Sequence, residues 1–216
     1  MTIGIITTSR ADFGIYLPLL NALKNDKNFQ ILIFAGGMHT SEMYGNSYQL
    51  IEAHGFKISE KLHSLLPGDD AESIAKSMGT TTSVFASCWK KYASKIDLLF
   101  VLGDRFEMFA AAASVIPFGI PLAHIHGGET TLGAIDNKFR HALSCLSNFH
   151  FTTNSEHKDR VAKITGSNEN IFNVGALGID SVMNMKLFTP LEFKKSFQYS
   201  IDEPYILCTY HPETMH

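Results

Sequence analysis

Short apolar runs alternate with longer amphipathic segments along most of this 216-residue chain. The apolar runs predict strands near 3–8, 30–35, 97–102, 120–126, 149–153 and 171–175. Apolar residues at three- and four-residue spacing predict helices near 14–25, 42–54, 71–93, 105–115, 136–147, 155–164 and 179–186. Because parallel strands need a crossover between them, the alternation predicts an α/β fold, with a parallel sheet and helices on both faces.

Charge, cysteine content and hydropathy exclude several classes of protein. A net charge of −3 gives no electrostatic reason to bind nucleic acid or an anionic membrane surface. The odd number of cysteines, at positions 88, 145 and 208, favours reduced thiols over a disulfide framework. The sequence has neither a basic leader nor 18 consecutive apolar residues. We therefore expect a soluble, cytoplasmic protein with no nucleic-acid or membrane partner.

Polar groups follow two of the predicted strands directly. Asp104 comes after the apolar run 96–102, and Gly127, Gly128 and Glu129 come after the run 119–126. The carboxyl ends of parallel strands share one sheet edge, where ligands bind in open α/β sheets. The glycine pair permits a positive φ and a close backbone approach to a ligand. The sequence therefore predicts an active site at this edge.

The last stretch of the chain changes character. Thr189 and Pro190 predict the start of a helix, as its cap and first residue. A further apolar run, 205–209, predicts a strand that leads into polar residues with no helix after it. We expect residues 1–188 to form an N-terminal domain. Residues 189–216 are expected to be a connecting helix and the first strand of a truncated second domain.

Six motifs together carry a family resemblance. They are Ser9–Gly14, Gly103–Glu107, His124–Glu129, Gly133–Asp136 with Arg140 and His141, Asn173–Ala176, and Thr209–Thr214. In this order they resemble the UDP-N-acetylglucosamine 2-epimerases, most closely the hydrolysing branch that feeds sialic and related nonulosonic acid synthesis. That family has two Rossmann-like domains of the glycosyltransferase-B type with the active site between them. The chain resembles the N-terminal domain plus the opening strand of the UDP-binding domain.

The resemblance implies a definite reaction. Removal of the C2 proton is coupled to loss of UDP and gives a 2-acetamidoglucal intermediate, to which water adds to give N-acetylmannosamine. Such a route needs a carboxylate base with a raised pKa and a second acid/base group. It also needs cations or N–H groups that stabilise the leaving diphosphate. A UDP-sugar is the expected partner, with no cofactor and no metal.

The resemblance also assigns roles to residues of this chain. The catalytic residues it implies are Asp104, Glu129, Asp136, Arg140 and His211. The substrate-binding residues it implies are Arg10, Asp12, His126, Gly127 and Gly128. Glu107, near the same turn, is expected to be an ordinary helix N-terminal carboxylate that complements the helix dipole.

Other interpretations stay open. The same reaction on UDP-N,N'-diacetylbacillosamine fits the motifs equally well, and a truncated chain could be a non-catalytic fragment that folds and self-associates. His124 and His126 form an HxH pattern whose rings would point to one side of a strand, half of a zinc site with Glu129. A metal-dependent hydrolase built on that pattern ranks last. We expect a homodimer or a higher homo-oligomer, in which the long helix 71–93 could pack.

Overall fold

The computed structural model describes residues 1–202 and 204–209, and its centre is one seven-stranded sheet. The strands are β1 (Thr2–Thr7), β2 (Gln30–Ala35), β3 (Ile58–Lys61), β4 (Leu98–Leu102), β5 (Leu122–Ile125), β6 (Phe149–Thr152) and β7 (Ile171–Asn173). Every pair of neighbours is parallel, in the order β3-β2-β1-β4-β5-β6-β7. This confirms the predicted α/β class.

Helices cover both faces of the sheet. They are α1 (Arg10–Asn25), α2 (Tyr48–Ala53), α3 (Ala71–Tyr92), α4 (Phe106–Ala113), α5 (Asp136–Leu146), α6 (Ser155–Thr165), α7 (Leu177–Met183) and α8 (Pro190–Phe197). Neighbouring residues of β2 show the two faces. Ile33 packs into one core with Phe13 of α1, and Phe34 packs into the other with Trp89 of α3. Within the described residues, no helix is long and apolar enough to cross a bilayer.

The strand order creates a crevice at one point of the sheet. The chain winds outward from β1 to β3, returns to β4 on the other side of β1, and then winds outward to β7. The segments that leave β1 and β4 therefore diverge at the carboxyl edge, and ligands bind at such switch points in open α/β sheets. The helices α1 and α4 both begin at this edge.

Two predicted helices have different bounds in the structure. The helix predicted for 14–25 begins at Arg10, because Ser9 and Asp12 form a capping box there. The prediction of one helix over 42–54 is wrong, since only α2 is α-helical in this segment. Gly45 and Asn46 before it have φ values of 74° and 47°. Residues in the left-handed region end a helix, so the segment divides into short turns.

The prediction for the end of the described chain also differs from the structure. Residues 205–209 form no strand, and the Ile206 and Leu207 side chains are 94% and 85% exposed. A strand needs a neighbour to satisfy its backbone groups, and none lies beside this segment within the described residues. The predicted start of α8 is confirmed, because Thr189 caps it with Glu192 in a capping box and Pro190 is its first residue.

One buried hydrogen bond ties α3 to α4. The Trp89 indole donates to Ser114 Oγ at 2.7 Å, and Ser114 Oγ donates to the Ala111 carbonyl. Both side chains are buried. Ser147 follows α5 in the corresponding position and also donates to its own helix, but the structure gives it no indole to accept from.

Ser114→Ala is expected to lower the free energy of unfolding by about 1–3 kcal/mol, because the indole N–H is left buried without an acceptor. The matched change Ser147→Ala should cost less than about 1 kcal/mol, since it removes only one bond to a helix carbonyl. Urea unfolding of both variants measures this. Equal losses would show that the indole bond does not set the cost.

Candidate active site

The first turn, between β1 and α1, is held by an internal hydrogen-bond network. Asp12 Oδ2 accepts from the Thr8 N–H at 2.9 Å, the Thr8 hydroxyl at 2.6 Å and the Ser9 N–H at 3.1 Å. Asp12 Oδ1 accepts from the Ser9 hydroxyl. Because both oxygens are occupied within the turn and the side chain is buried, Asp12 shapes the turn. Its implied role in holding substrate stays a prediction.

Arg10 lies in the same turn, with its side chain exposed. It is the first residue of α1, between the cavity-lining residues Ser9 and Ala11. Its guanidinium makes no hydrogen bond or ion pair with the described residues. A cation placed this way is available to an anion at the mouth of the crevice.

Arg140 of α5 connects the loops that follow β4 and β5. Its side chain is only 6% exposed. One terminal nitrogen forms an ion pair with Asp104, and the other donates to Glu129 Oε2 at 3.2 Å and to the His126 carbonyl at 3.0 Å. Asp136, at the start of α5, lies near enough to Asp104 for its charge to raise the pKa of the Asp104 carboxyl. These five residues, which the resemblance also implies, lie together.

The β5 loop begins with an unusual backbone conformation. His126 has a φ of 64°, so β5 ends at Ile125 and the strand alternation stops there. The His126 ring turns to Glu129, with Nδ1 2.8 Å from Oε1. The Thr153 hydroxyl, after β6, donates to the same oxygen at 3.2 Å. Sequence reasoning missed Thr153, whose contact is visible only when β5 and β6 pair.

A cavity of about 250 Å³ lies between these loops and the first turn. The turn after β1, the start of α1, the end of β4 with the turn after it, the loop after β5, and α5 line it; the lining includes Ser9, Asp12, Asp104, Arg105, Glu129 and Arg140. The cavity is therefore at the switch point that the strand order creates. His211 lies outside the described residues.

Asp104 and Glu129, two of the carboxylates that line the cavity, have pKa values shifted in opposite directions. Burial raises the pKa of the Asp104 carboxyl, and the charge of Asp136 adds to this, although Arg140 opposes it. Burial also acts to raise the pKa of Glu129, but the hydrogen bond and charge of His126, together with Arg140 and Thr153, outweigh it and hold that pKa below its ordinary value. Carboxylates whose pKa values are pushed apart can serve as a proton acceptor and a permanent anion.

A second pair of charges lies under the cavity and was not expected. Glu107 is fully buried and accepts from Arg105 Nη2 at 2.9 Å. Glu107 is thus a partner for a cavity-lining arginine, not an ordinary solvated carboxylate at a helix start. Burial alone would lower the pKa of Arg105, but Glu107 reverses this and keeps the guanidinium charged. Only the placement of Glu107 among the apolar residues of α4 hinted at its burial.

The HxH pattern does not form a metal site. His124 is buried, with Nε2 2.9 Å from the Gly103 carbonyl and Nδ1 3.1 Å from Ser144 Oγ. Burial lowers the pKa of His124 to about 3, so the ring is neutral. His126 faces Glu129 instead. Over residues 1–202 and 204–209, no three His, Cys, Asp or Glu side chains are arranged to hold a metal ion.

Close contacts within the protein explain why residues 127 and 128 are glycines. A Cβ on Gly128, which has a φ of 79°, would lie 2.3 Å from the His157 carbonyl oxygen. A Cβ on Gly127 would lie 3.0 Å from both His124 Nδ1 and Ser144 Oγ. The glycines let the β5 loop pack against α6 and α5. Their implied role in substrate binding remains a prediction.

Gly128→Ala is expected to destabilise the protein more than Gly166→Ala. Both glycines have positive φ, which costs an L-residue about 1–2 kcal/mol, but a Cβ on Gly166 meets no atom within 4 Å. The clash with the His157 backbone should add at least about 1 kcal/mol at Gly128. Thermal and urea unfolding of the two variants measure the difference. Equal losses would contradict this account of the loop.

Glu129 should stabilise the fold in a pH-dependent way. Because its folded-state pKa is depressed, the stabilisation is present above its unfolded pKa of about 4.3 and is lost as the pH falls through the folded value. The unfolding free energy of the wild type minus that of Glu129→Gln should exceed about 1 kcal/mol at pH 7 and vanish at low pH. For Glu156→Gln, which removes an exposed carboxylate, the difference should stay below about 0.5 kcal/mol throughout. A pH-independent difference for Glu129 would contradict the depressed pKa.

Comparison with known proteins places this chain in a family. The family model for UDP-N-acetylglucosamine 2-epimerase matches residues 21–216. A Campylobacter jejuni relative named GDP/UDP-N,N'-diacetylbacillosamine 2-epimerase (hydrolyzing) is 35% identical over 99% of this chain and 55% of its own length. A Legionella pneumophila UDP-N,N'-diacetylbacillosamine 2-epimerase (hydrolyzing) is 34% identical over 96% and 54%.

The fold is shared with solved structures of the same kind. The crystal structure of UDP-GlcNAc 2-epimerase from Neisseria meningitidis bound to UDP-GlcNAc matches with a TM-score of 0.73 and 20% identity, over 85% of this chain and 48% of that one. The chain spans about half the length of the curated relatives it matches. On the extent of the family match and the identity to these relatives, the chain belongs to the UDP-N-acetylglucosamine 2-epimerase family.

Proposed function

We propose that this chain supplies the acid/base half of a hydrolysing UDP-sugar 2-epimerase. The reaction removes UDP from a UDP-2-acetamido sugar, inverts C2 and releases the free sugar. The observation that carries the proposal is the pair of carboxylates with opposite pKa shifts at the switch-point cavity, bridged by a buried arginine. A base that removes a weakly acidic C–H proton works best with a raised pKa.

Asp104 is the base of the elimination in this proposal. It takes the C2 proton, the C1–C2 double bond forms, and the C1–O bond breaks with its electron pair leaving on UDP. Arg140 keeps Asp104 in place and lowers the cost of its buried charge before the proton arrives. Arg10, exposed between the cavity-lining residues Ser9 and Ala11, would interact with the diphosphate, and Asp136 adds to the rise in the pKa of Asp104.

The size of the cavity bears on how the nucleotide is held. Sites that enclose a drug-sized ligand have volumes of roughly 300–1,000 Å³. The cavity here, about 250 Å³, lies below that range. We therefore propose that the uridine and diphosphate are held mainly by a second domain, to which residues 189–216 connect and to which His211 would contribute. By itself the chain is then inactive.

Two substrates are candidates. One is UDP-N-acetylglucosamine, from which the family takes its name, with N-acetylmannosamine as product for sialic or nonulosonic acid synthesis. The names of the Campylobacter and Legionella relatives favour UDP-N,N'-diacetylbacillosamine, which differs at C4 and C6 of the sugar. The elimination concerns only C1 and C2, so the same residues serve either sugar. We also propose that the protein is cytoplasmic and forms a homo-oligomer. The alternative hypothesis for its function is a non-catalytic fragment that self-associates.

The test uses the 216-residue chain and a chain that continues past His216 with a UDP-binding domain. Each is incubated with both UDP-sugars in deuterated water, and NMR follows UDP release and deuterium at C2. Activity of the longer chain only, with deuterium at C2, is the expected result. Turnover of neither sugar would refute the proposed function, and loss of turnover on adding a chelator would favour the metal hydrolase.

A substitution pair assigns the base. Asp104→Asn in the longer chain should lower kcat at least about 100-fold, because a neutral amide cannot accept the C2 proton. Asp97→Asn is the matched control at the opposite end of β4. There the side chain accepts from the Thr2 N–H, which an amide oxygen can also do, so kcat should not change. Full activity of Asp104→Asn would place the base elsewhere.

A further inference from the structure

Three neighbouring side chains make hydrogen bonds to the carboxylate of Glu129 and keep it ionised. Its Oε1 faces His126 Nδ1 at 2.8 Å and the Thr153 hydroxyl at 3.2 Å, and its Oε2 accepts from Arg140 at 3.2 Å. Because His126, Arg140 and Thr153 hold the pKa of Glu129 below its ordinary value against the effect of burial, the carboxylate is ionised and only accepts hydrogen bonds, so each of these three neighbours is a donor. With donors on both oxygens, Glu129 is a fixed anion. It is poorly suited to take a proton from a substrate.

The hydrogen bonds of Glu129 also fix the tautomers of two histidines. These are His126, which faces Glu129, and His157, which faces Thr153. His126 carries its proton on Nδ1, since this nitrogen faces Glu129. Thr153 has one hydroxyl hydrogen, which goes to Glu129, so His157 Nδ1, at 2.6 Å from Thr153 Oγ1, must be the donor to Thr153. A chain from His157 through Thr153 thus orders Glu129, and Glu129 orders the His126 ring.

The other nitrogen of His126 has no partner. His126 lines the cavity with its side chain 13% exposed, and Nε2 is buried without a hydrogen bond to any described residue. A buried polar atom left unpaired costs free energy, which a bound group with a matching hydrogen bond recovers. An imidazole oriented by a carboxylate on Nδ1, with Nε2 left for the reacting group, is the arrangement of a histidine acid/base catalyst.

We propose that His126 is a catalytic acid, whose Nε2 delivers the proton that C2 receives when water adds to the glucal double bond. Glu129 is then a positioning residue that orients the ring through its hydrogen bond to Nδ1. This assignment rests on the proposed function. It gives Asp104 and His126 separate steps, one in the elimination and one in the hydration.

The protons and electrons balance. In the elimination the C2 proton goes to Asp104, the C2–H electron pair becomes the C1–C2 double bond, and the C1–O electron pair leaves with UDP. In the hydration the double-bond pair takes the proton of the His126 imidazolium at C2, and a water oxygen bonds to C1. Neutral His126 then takes a proton from that water, which restores the imidazolium, and Asp104 releases its proton to solvent.

The tautomers can be tested on the 216-residue chain without any substrate. Long-range ¹H–¹⁵N NMR of the histidine rings, with His126 assigned from the spectrum of His126→Asn, should show the neutral ring protonated on Nδ1. In Glu129→Gln this preference should weaken. A wild-type His126 protonated on Nε2 when neutral would overturn the proposal, because Nε2 could not then receive a proton from water.

The two chemical steps are tested separately in the chain that carries a UDP-binding domain. His126→Gln keeps a donor near the place of Nε2 but cannot transfer a proton. It should hydrate added 2-acetamidoglucal at least about 100-fold more slowly, while releasing UDP within about tenfold of the wild-type rate, so that the glucal accumulates. His54→Gln changes an exposed histidine of the α2 end and should leave both rates unaltered.

The outcomes separate the two claims. Equal loss of both steps in His126→Gln, or normal hydration, would overturn the role of His126 and leave the proposed function standing. A wild-type chain that neither releases UDP nor hydrates the glucal would refute the proposed function, and the catalytic role of His126 with it. The NMR result on the His126–Glu129 pair would still stand.

Discussion

The arrangement of the cavity depends on the ion pairs and the hydrogen bond that the buried guanidinium of Arg140 makes. A charge removed from water must be paired, and removing one partner of a buried pair costs about 3–5 kcal/mol. Arg140 meets this need with Asp104 at the end of β4 and with Glu129 and the His126 carbonyl in the β5 loop. The helix α5, which carries Arg140, follows the β5 loop directly. One short stretch of chain therefore fixes the carboxyl ends of β4 and β5 relative to each other.

The number of donors around each carboxylate then decides its chemistry. Glu129 receives hydrogen bonds from three side chains, whereas Arg140 supplies the only side-chain donor to Asp104 within the described residues. Asp104 also has a second carboxylate, Asp136, nearby. Similar burial therefore gives opposite pKa shifts. A proton acceptor and a fixed anion result from two residues of nearly the same intrinsic acidity.

Much of the fold could be predicted from the sequence, because strand and helix periods are local properties of the chain. The positions of Asp104 and Glu129 after apolar runs likewise predicted one sheet edge. What failed depends on contacts between distant segments. The apolar run 120–126 predicts a strand that includes His126, but His126 has a positive φ and the loop after it packs on α6. The ion pair of the buried Glu107 with Arg105 likewise had only a weak local signal, the apolar residues of α4 around Glu107.

The same reasoning separates the residues of the first turn. Asp12 lies two residues after Arg10 and belongs to the same motif, yet its oxygens are used by Thr8 and Ser9, while the Arg10 side chain is exposed. A motif match assigns both to substrate. In the structure, the carboxylate builds the turn, and the turn presents the cation at the crevice. On the proposed function, an Asp12 substitution would then act on binding only through the position of Arg10, and its first effect would be on stability.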